Sequence, residues 1–185
     1  MSGEKTRLGM IMFILSEGVF FLLLILASVN YHHDQGNGPT AANSLDVIKT
    51  GIFSVCLFAS SATMAAAMGG FRRGRRGRLA AGLLGTLVLG AVFLVGQGME
   101  YASLVKRDIT ISRDLFGTTF FTLTGFHGLH VFTGLVMIGV LLGLSRFGRG
   151  DEPRSGAMEA VSVYWHFVDG VWVVIFGVVY LWAFL

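Results

Sequence analysis

Five long apolar runs make up most of this 185-residue chain, and each is long enough to cross a lipid bilayer. A helix needs about 20 residues to span a hydrocarbon core of about 30 Å. Backbone groups in lipid must bond within their own segment, so such runs fold as helices. The sequence therefore predicts an all-α polytopic membrane protein, a single bundle of five helices over residues 1–185. The predicted spans are Leu8–Val29, Val47–Gly69, Leu79–Ala102, Leu115–Leu144 and Val161–Phe184.

The composition agrees with a membrane bundle. Hydrophobic residues form 54% of the chain and charged residues only 14%, whereas soluble domains contain about 25% charged residues. The loops are too short for a soluble domain of useful size. Any chemistry must therefore lie inside the bundle or on a partner chain. The single cysteine, Cys56, excludes an intrachain disulfide.

The Lys and Arg residues predict an orientation. Ten of them fall on the side of the N-terminus and four on the opposite side. The excess of cations marks the inner side, so the N-terminus is predicted inside and the C-terminus outside. The same rule accounts for the basic turn over residues 71–78, for which no nucleic-acid partner is expected. Its arginines are also suited to bind anionic lipid headgroups. These predicted lipid contacts are Arg72, Arg73, Arg75 and Arg76.

Several ionisable residues lie at bilayer depth, where charged side chains are costly and normally mark a functional site. Counting 1.5 Å per residue from the predicted helix ends places them in one layer of the inner half. We therefore predict one buried polar cluster in this layer. Its members are Glu17, His127, His130, His166 and Asp169. A second polar pair, Gln97 and Glu100, is predicted near the outer rim, outside this cluster.

Two roles for the cluster stay open at this point, a proton relay and structural hydrogen bonds between helices. A metal enzyme is a weaker alternative, because no Glu-x-x-His motif of the di-iron bundles is present. Small and polar residues lie on opposite faces of the fourth run, which predicts that this helix is central. The aromatic residues of the last run are predicted to mark the membrane interfaces.

Four ordered motifs resemble one family. The segment ITISRDLFGTTFFTLTGFHGLHVFTGL (Ile109–Leu135) and the segment YWHFVDGVWVVIFGVVYLW (Tyr164–Trp182) resemble subunit III of the haem-copper oxidases, which include cytochrome c and quinol oxidases. QGMEY (Gln97–Tyr101) and FILSEGVFF (Phe13–Phe21) also match that family. In the family, the helix of the last motif carries a membrane-embedded glutamate known for carbodiimide reactivity, and the resemblance places that role on Glu17.

The resemblance implies a non-catalytic subunit. In this family haem and copper are held by subunits I and II, so this chain is expected to bind no cofactor or metal itself. Subunit III packs on subunit I, supports proton uptake on the inner side and protects the enzyme during turnover. The chain resembles the short five-helix bacterial form, without the first two of the family's seven helices. Phospholipids are expected around it, although the contacts of the long form are not carried over.

Other functions remain as alternatives. The nearest is the subunit-III-like protein associated with nitric oxide reductases, which shares the fold and the motifs. A stand-alone proton-conducting protein belongs to another class, and neither inverted repeats nor broken helices are visible in the sequence. The short form and the lack of a targeting peptide favour a bacterial plasma membrane.

Overall fold

The computed structural model describes residues 2–32, 45–111, 115–147 and 155–181, which are almost entirely helical. Five of the helices within these ranges are long and apolar enough to cross a membrane, which confirms the predicted fold class. A π-helical segment, Gly177–Leu181, continues the last of them. The helices are α1 (Ser2–His32), α2 (Val47–Arg72), α3 (Arg76–Lys106), α4 (Leu115–Phe147) and α5 (Ser155–Phe176).

The helices extend beyond the apolar runs. For example, α3 begins at Arg76 rather than Leu79, and α5 begins at Ser155 rather than Val161. Helical hydrogen bonding continues through polar residues, whereas hydropathy marks only the part that lipid can cover. The predicted span residues 182–184 and three of the counted cations lie outside the described residues. These cations are Arg113, Arg149 and Arg154.

Local interactions define both ends of α2. The carboxylate of Asp46 accepts a hydrogen bond of 3.0 Å from the backbone N–H of Lys49, which caps the first turn. At the other end, Gly74 has a φ of 63°, a backbone conformation that glycine adopts without steric cost. The chain thus reverses direction within a short turn, and α2 and α3 form an antiparallel hairpin.

The two helices of this hairpin are in very close contact. A Cβ atom built on Gly82 would lie 2.6 Å from the backbone nitrogen of Ala67. No side chain can fit between the two backbones at this point. Helices in lipid gain packing energy from such close approach, because no hydrophobic drive brings them together.

Helix α4, the predicted central helix, contacts α1, α3 and α5, and α5 contacts α1, α2 and α4. Helix α5 is the more deeply buried of the two, since 44% of the residues in its most apolar stretch are buried, against 22% for α4. Its Trp165 ring packs against Gly90 of α3 and Gly134 of α4, where added Cβ atoms would each lie 2.8 Å from the ring. The small residues of α4 therefore make room for the large side chains of α5.

The prediction that the aromatic residues of the last helix mark the membrane interfaces is wrong for the described ones. Trp165, Trp172, Tyr164 and Tyr180 are each at most 2% exposed and form part of the core. Apolar residues occur on every face of the fifth run, so its sequence does not distinguish rings that face lipid from rings that face neighbouring helices. Trp182 lies outside the described residues.

Helix α1 lies at the periphery of the bundle. It packs on α4 and α5, yet only 6% of the residues in its most apolar stretch are buried. Its outer surface is aliphatic, and the largest exposed side chains there include Leu15, Val19, Leu22, Leu23 and Leu26. This surface is well suited to contact lipid tails.

Candidate functional site

Glu17 and His130 form a hydrogen-bonded pair between α1 and α4. The distance from Glu17 Oε2 to His130 Nε2 is 3.1 Å, with side-chain exposures of 22% and 13%. The edge-on ring of Phe21 lies 4.9 Å from the imidazole, centroid to centroid. From α5, the Tyr164 hydroxyl donates a 3.0 Å hydrogen bond to the carbonyl oxygen of His130. Three helices thus position the pair.

The other imidazole nitrogen of His130 is bonded to its own helix. Nδ1 lies 2.7 Å from the carbonyl oxygen of Phe126. A carbonyl oxygen can only accept a hydrogen bond, so Nδ1 must carry a proton and donate it. The bond between Glu17 and His130 consequently holds one further proton, either on the carboxyl oxygen or on Nε2.

His127 has a different environment. Its side chain is fully buried, stacked on Trp172 at 4.8 Å between centroids, with the Phe93 ring edge-on at 6.0 Å. Neither of its ring nitrogens has a hydrogen-bond partner among the described residues. The ring is packed as an aromatic side chain and is not part of the hydrogen-bonded pair formed by Glu17 and His130.

His166 and Asp169 belong to a second hydrogen-bonded group, with Ser61 of α2. The Ser61 hydroxyl donates to Asp169 Oδ2 and lies 3.0 Å from His166 Nδ1. The structure therefore divides the predicted cluster into a pair on α1 and α4, an aromatic His127, and a group on α2 and α5. Depth along each helix, from which the cluster was predicted, does not by itself determine which helix faces which.

The predicted outer pair is also divided. Gln97 donates a 2.7 Å hydrogen bond from Nε2 to the carbonyl oxygen of Thr124 on α4. Glu100 instead accepts bonds from Thr50 at 2.8 Å and from Tyr180, in the π-helical segment, at 2.7 Å. Glu100 thus joins α2, α3 and the end of α5, while Gln97 joins α3 and α4. Neither side chain is hydrogen-bonded to Glu17, His130, His166 or Asp169.

Serine residues of α2 were missed by the sequence analysis. Ser60 accepts a 2.9 Å hydrogen bond from Trp165 Nε1, and Ser54 accepts a 2.8 Å bond from Trp172 Nε1. The sequence did contain a signal for these bonds, because the two tryptophans are seven residues apart and therefore lie on one face of α5. Together with Ser61, these serines attach α2 to the core helix.

The predicted lipid-contacting arginines lie at the turn between α2 and α3. Arg72 ends α2, Arg76 begins α3, and all four side chains are exposed. Across the described ranges, no three His, Cys, Asp or Glu side chains converge so as to hold a metal ion. The polar groups described above link neighbouring helices through hydrogen bonds.

A family model described as cytochrome c oxidase subunit III matches residues 2–184. The chain belongs to the cytochrome c oxidase subunit III family. A subunit 3 of cytochrome c oxidase from Scyliorhinus canicula is 36% identical, over 96% of this chain and 69% of the relative. One from Synechocystis is 35% identical, over 94% and 74%. A cytochrome bo(3) ubiquinol oxidase subunit 3 from Pseudomonas aeruginosa is 34% identical, over 97% and 86%.

The subunit III motifs coincide with the contacts of the polar groups. The motif on α1 contributes Glu17, the motif on α4 contributes His130, and the motif on α5 contributes His166. The family match confirms the resemblance found in the sequence. The chain is thus an integral membrane member of a family that functions within respiratory oxidase complexes.

Proposed function

We propose that this chain is the non-catalytic subunit III of a bacterial haem-copper terminal oxidase, in which haem and copper are bound by partner subunits. The observation that supports this most directly is the family match over residues 2–184. Relatives named as subunits of cytochrome c and quinol oxidases support the respiratory role. The chain would pack on subunit I, with subunit II nearby, and stabilise it.

The orientation in this proposal follows the cations. With the N-terminus inside, the turn between α2 and α3 faces the inner side of the plasma membrane. Arg72, Arg73 and Arg75 are exposed at this turn, and they would bind the phosphates of anionic lipids. Arg76, at the start of α3, would join them.

A proton-related role is proposed for the Glu17–His130 pair. His130 Nδ1 is held by a carbonyl, so only the bond between Oε2 and Nε2 carries a transferable proton. Both side chains remain partly exposed at the surface of the bundle. The pair could therefore exchange its proton with a neighbouring group of subunit I on the inner side. The group of His166 and Asp169 would adjust protonation near the same contact.

The test is purification of the complex through a tag on this chain, in mild detergent. We expect haem, seen in a reduced-minus-oxidised spectrum, and a large polytopic partner identified by mass spectrometry. Haems and copper of the oxidase type would support the proposal, whereas those of a nitric oxide reductase would favour that alternative. A folded, colourless chain that is purified alone would overturn the proposal, and proton flux in liposomes would then test for a stand-alone conductor.

A further inference from the structure

A cavity of about 610 Å³ lies between α2, α3 and α5, at the end of the hairpin opposite its basic turn. This volume is in the range of small-molecule sites. Thr50 and Glu100, which are hydrogen-bonded to each other, both line it, and its apolar wall includes Phe53, Phe93 and Trp172. Thr50 is three residues from the start of the apolar span of α2, about 4.5 Å along the helix. The cavity therefore lies where lipid headgroups meet the hydrocarbon core.

The interior of the cavity offers hydrogen-bond acceptors. The carboxylate of Glu100 accepts from two neutral hydroxyls, those of Thr50 and Tyr180, and in the described part of the chain no cationic side chain forms a salt bridge with it. Tyr180 belongs to the π-helical segment, and such segments are frequent at functional sites. Gln97 also lines the cavity, and its buried Oε1 has no hydrogen-bond partner among the described residues. A cationic hydrogen-bond donor bound here would lower the cost of burying these acceptors.

The rim of the cavity differs from its interior, because it carries two exposed cations, Lys49 and Arg107. Asp46 is also exposed there, and its carboxylate caps the backbone N–H of Lys49. The rim thus has two cations and one carboxylate, whereas the partly buried Glu100 is the charged group of the interior. Because the positive charge lies outside and a carboxylate inside, the cavity suits a zwitterion that enters with its cation first.

An exposed aliphatic stripe leads from the cavity along α2. Ile48 lines the cavity and is 80% exposed, and Ile52 and Val55 follow on the same face of the helix with exposures of 62% and 65%. Val55 is eight residues from the start of the apolar span, about 12 Å along the helix. The stripe therefore runs from the headgroup level toward the middle of the bilayer, where it can receive an acyl chain.

We propose that this cavity binds the phosphoethanolamine headgroup of a phospholipid. The primary ammonium donates to Glu100, the phosphate lies at the rim beside Lys49 and Arg107, and an acyl chain lies on the aliphatic stripe of α2. A choline headgroup has no N–H to donate, and a glycerol headgroup has hydroxyls but no cation. The site is at the end of the bundle opposite the arginines of the basic turn, and it does not depend on the proposed function.

The first test compares lipids on the purified protein. The tagged chain, with the partners that it retains, is titrated with phosphatidylethanolamine, phosphatidylcholine and phosphatidylglycerol of equal acyl chains, and native mass spectrometry gives their Kd values. We expect phosphatidylethanolamine to bind about tenfold more tightly than phosphatidylcholine, because a hydrogen bond to a charged group contributes at least one such factor. Equal affinities, or a preference for phosphatidylglycerol, would overturn the proposal. Soluble phosphoethanolamine that competes at the same concentration as the lipid would show that the site takes the free headgroup and not a lipid.

The second test locates the site with three variants. Glu100→Gln removes the negative charge and should abolish the preference for phosphatidylethanolamine over phosphatidylcholine. Lys49→Gln removes a cation of the rim and should weaken the binding of phosphatidylethanolamine about threefold. Lys106→Gln is the matched control, because Lys106 is an exposed cation at the same end of the hairpin that does not line the cavity. It should bind the lipid as the wild type does.

Each outcome of this comparison decides the proposal. A folded Glu100→Gln protein that keeps the full preference would place the bound lipid elsewhere. Equal effects of Lys49→Gln and Lys106→Gln would do the same, and this pair decides alone if Glu100→Gln does not fold. The assay counts lipids and not haem, so a failure here leaves the proposed function intact. A chain that prefers phosphatidylethanolamine but brings no haem would overturn the proposed function alone.

Discussion

At the scale of single residues, the carbonyl oxygen of Phe126 determines what His130 can do. It binds the proton on Nδ1 and so leaves Nε2 to Glu17. The two partners share one proton in a partly exposed position, while the fully buried His127 is packed among aromatic rings. Two histidines three residues apart on one helix therefore have different chemistry.

The shared proton predicts different results for two variants of Glu17. Glu17→Gln can donate an amide hydrogen to Nε2, so it should leave assembly and the thermal midpoint unchanged while removing the transferable proton and slowing proton uptake. Glu17→Leu leaves Nε2 without a partner and should destabilise the complex by about 1–3 kcal/mol. Thermal unfolding of the purified complex measures the change in stability, and a proton-uptake assay measures the loss of the transferable proton.

Ser16→Ala is the control for these variants, because among the described residues the Ser16 hydroxyl bonds to the carbonyl oxygen of Phe13 alone, within its own helix. Ser16→Ala should change neither the thermal midpoint nor the rate of proton uptake. Loss of the whole complex in Glu17→Gln would show that the carboxylate has an indispensable structural role.

At the scale of helices, the hairpin of α2 and α3 depends on the absence of a side chain at Gly82. The backbones of the two helices are so close that a Cβ atom would lie 2.6 Å from a nitrogen of Ala67. Glycine is a poor helix former, by about 1 kcal/mol relative to alanine. Close packing in this position offsets that cost.

Two glycine substitutions on α3 test this account. Gly82→Ala should destabilise the chain by about 1–3 kcal/mol, because the helices must move apart. Gly98→Ala is the matched control, since nothing lies within 4 Å of an added Cβ atom there. It should be neutral or slightly stabilising. Thermal unfolding in detergent compares the two, and an equal effect on both would exclude close packing as the cause.

At the scale of the whole molecule, α4 and α5 together connect the hairpin to the rest of the bundle, α4 through α3 and α5 through α2. The buried Trp165 and Trp172 donate to Ser60 and Ser54, so two indole N–H groups are satisfied inside the bundle. A buried donor that loses its acceptor costs more than an average hydrogen bond contributes. These bonds hold α2 in register with α5.

The double variant Ser54→Ala/Ser60→Ala removes both acceptors. We expect it to lose about 2–6 kcal/mol of stability, at about 1–3 kcal/mol for each orphaned donor. It should also lower the yield of the assembled complex, because α2 is then held less firmly on α5. Denaturant unfolding of the purified chain measures the first effect. Stability equal to that of Ser16→Ala would refute the role of these bonds.

Much of the candidate site could be selected from the sequence, but not its arrangement. Glu17 and His130 were both predicted as members of a buried group, and they do meet. Ser61 was not predicted, because a serine in an apolar helix carries no strong signal by itself. The grouping of Asp169 with Ser61 depends on the rotation of α5 about its axis, which depth along the helix does not specify.

The sequence by itself determined that this is an all-helical membrane protein of the subunit III family, since hydrophobic length and ordered motifs are properties of the chain alone. Only the tertiary structure decided that α5 is more deeply buried than α4, that Trp165 and Trp172 are core residues, and that His166 faces outward. The physical reason is that lipid and protein interiors are about equally apolar. Hydropathy therefore separates membrane from water, whereas packing and hydrogen bonds determine which face meets which helix.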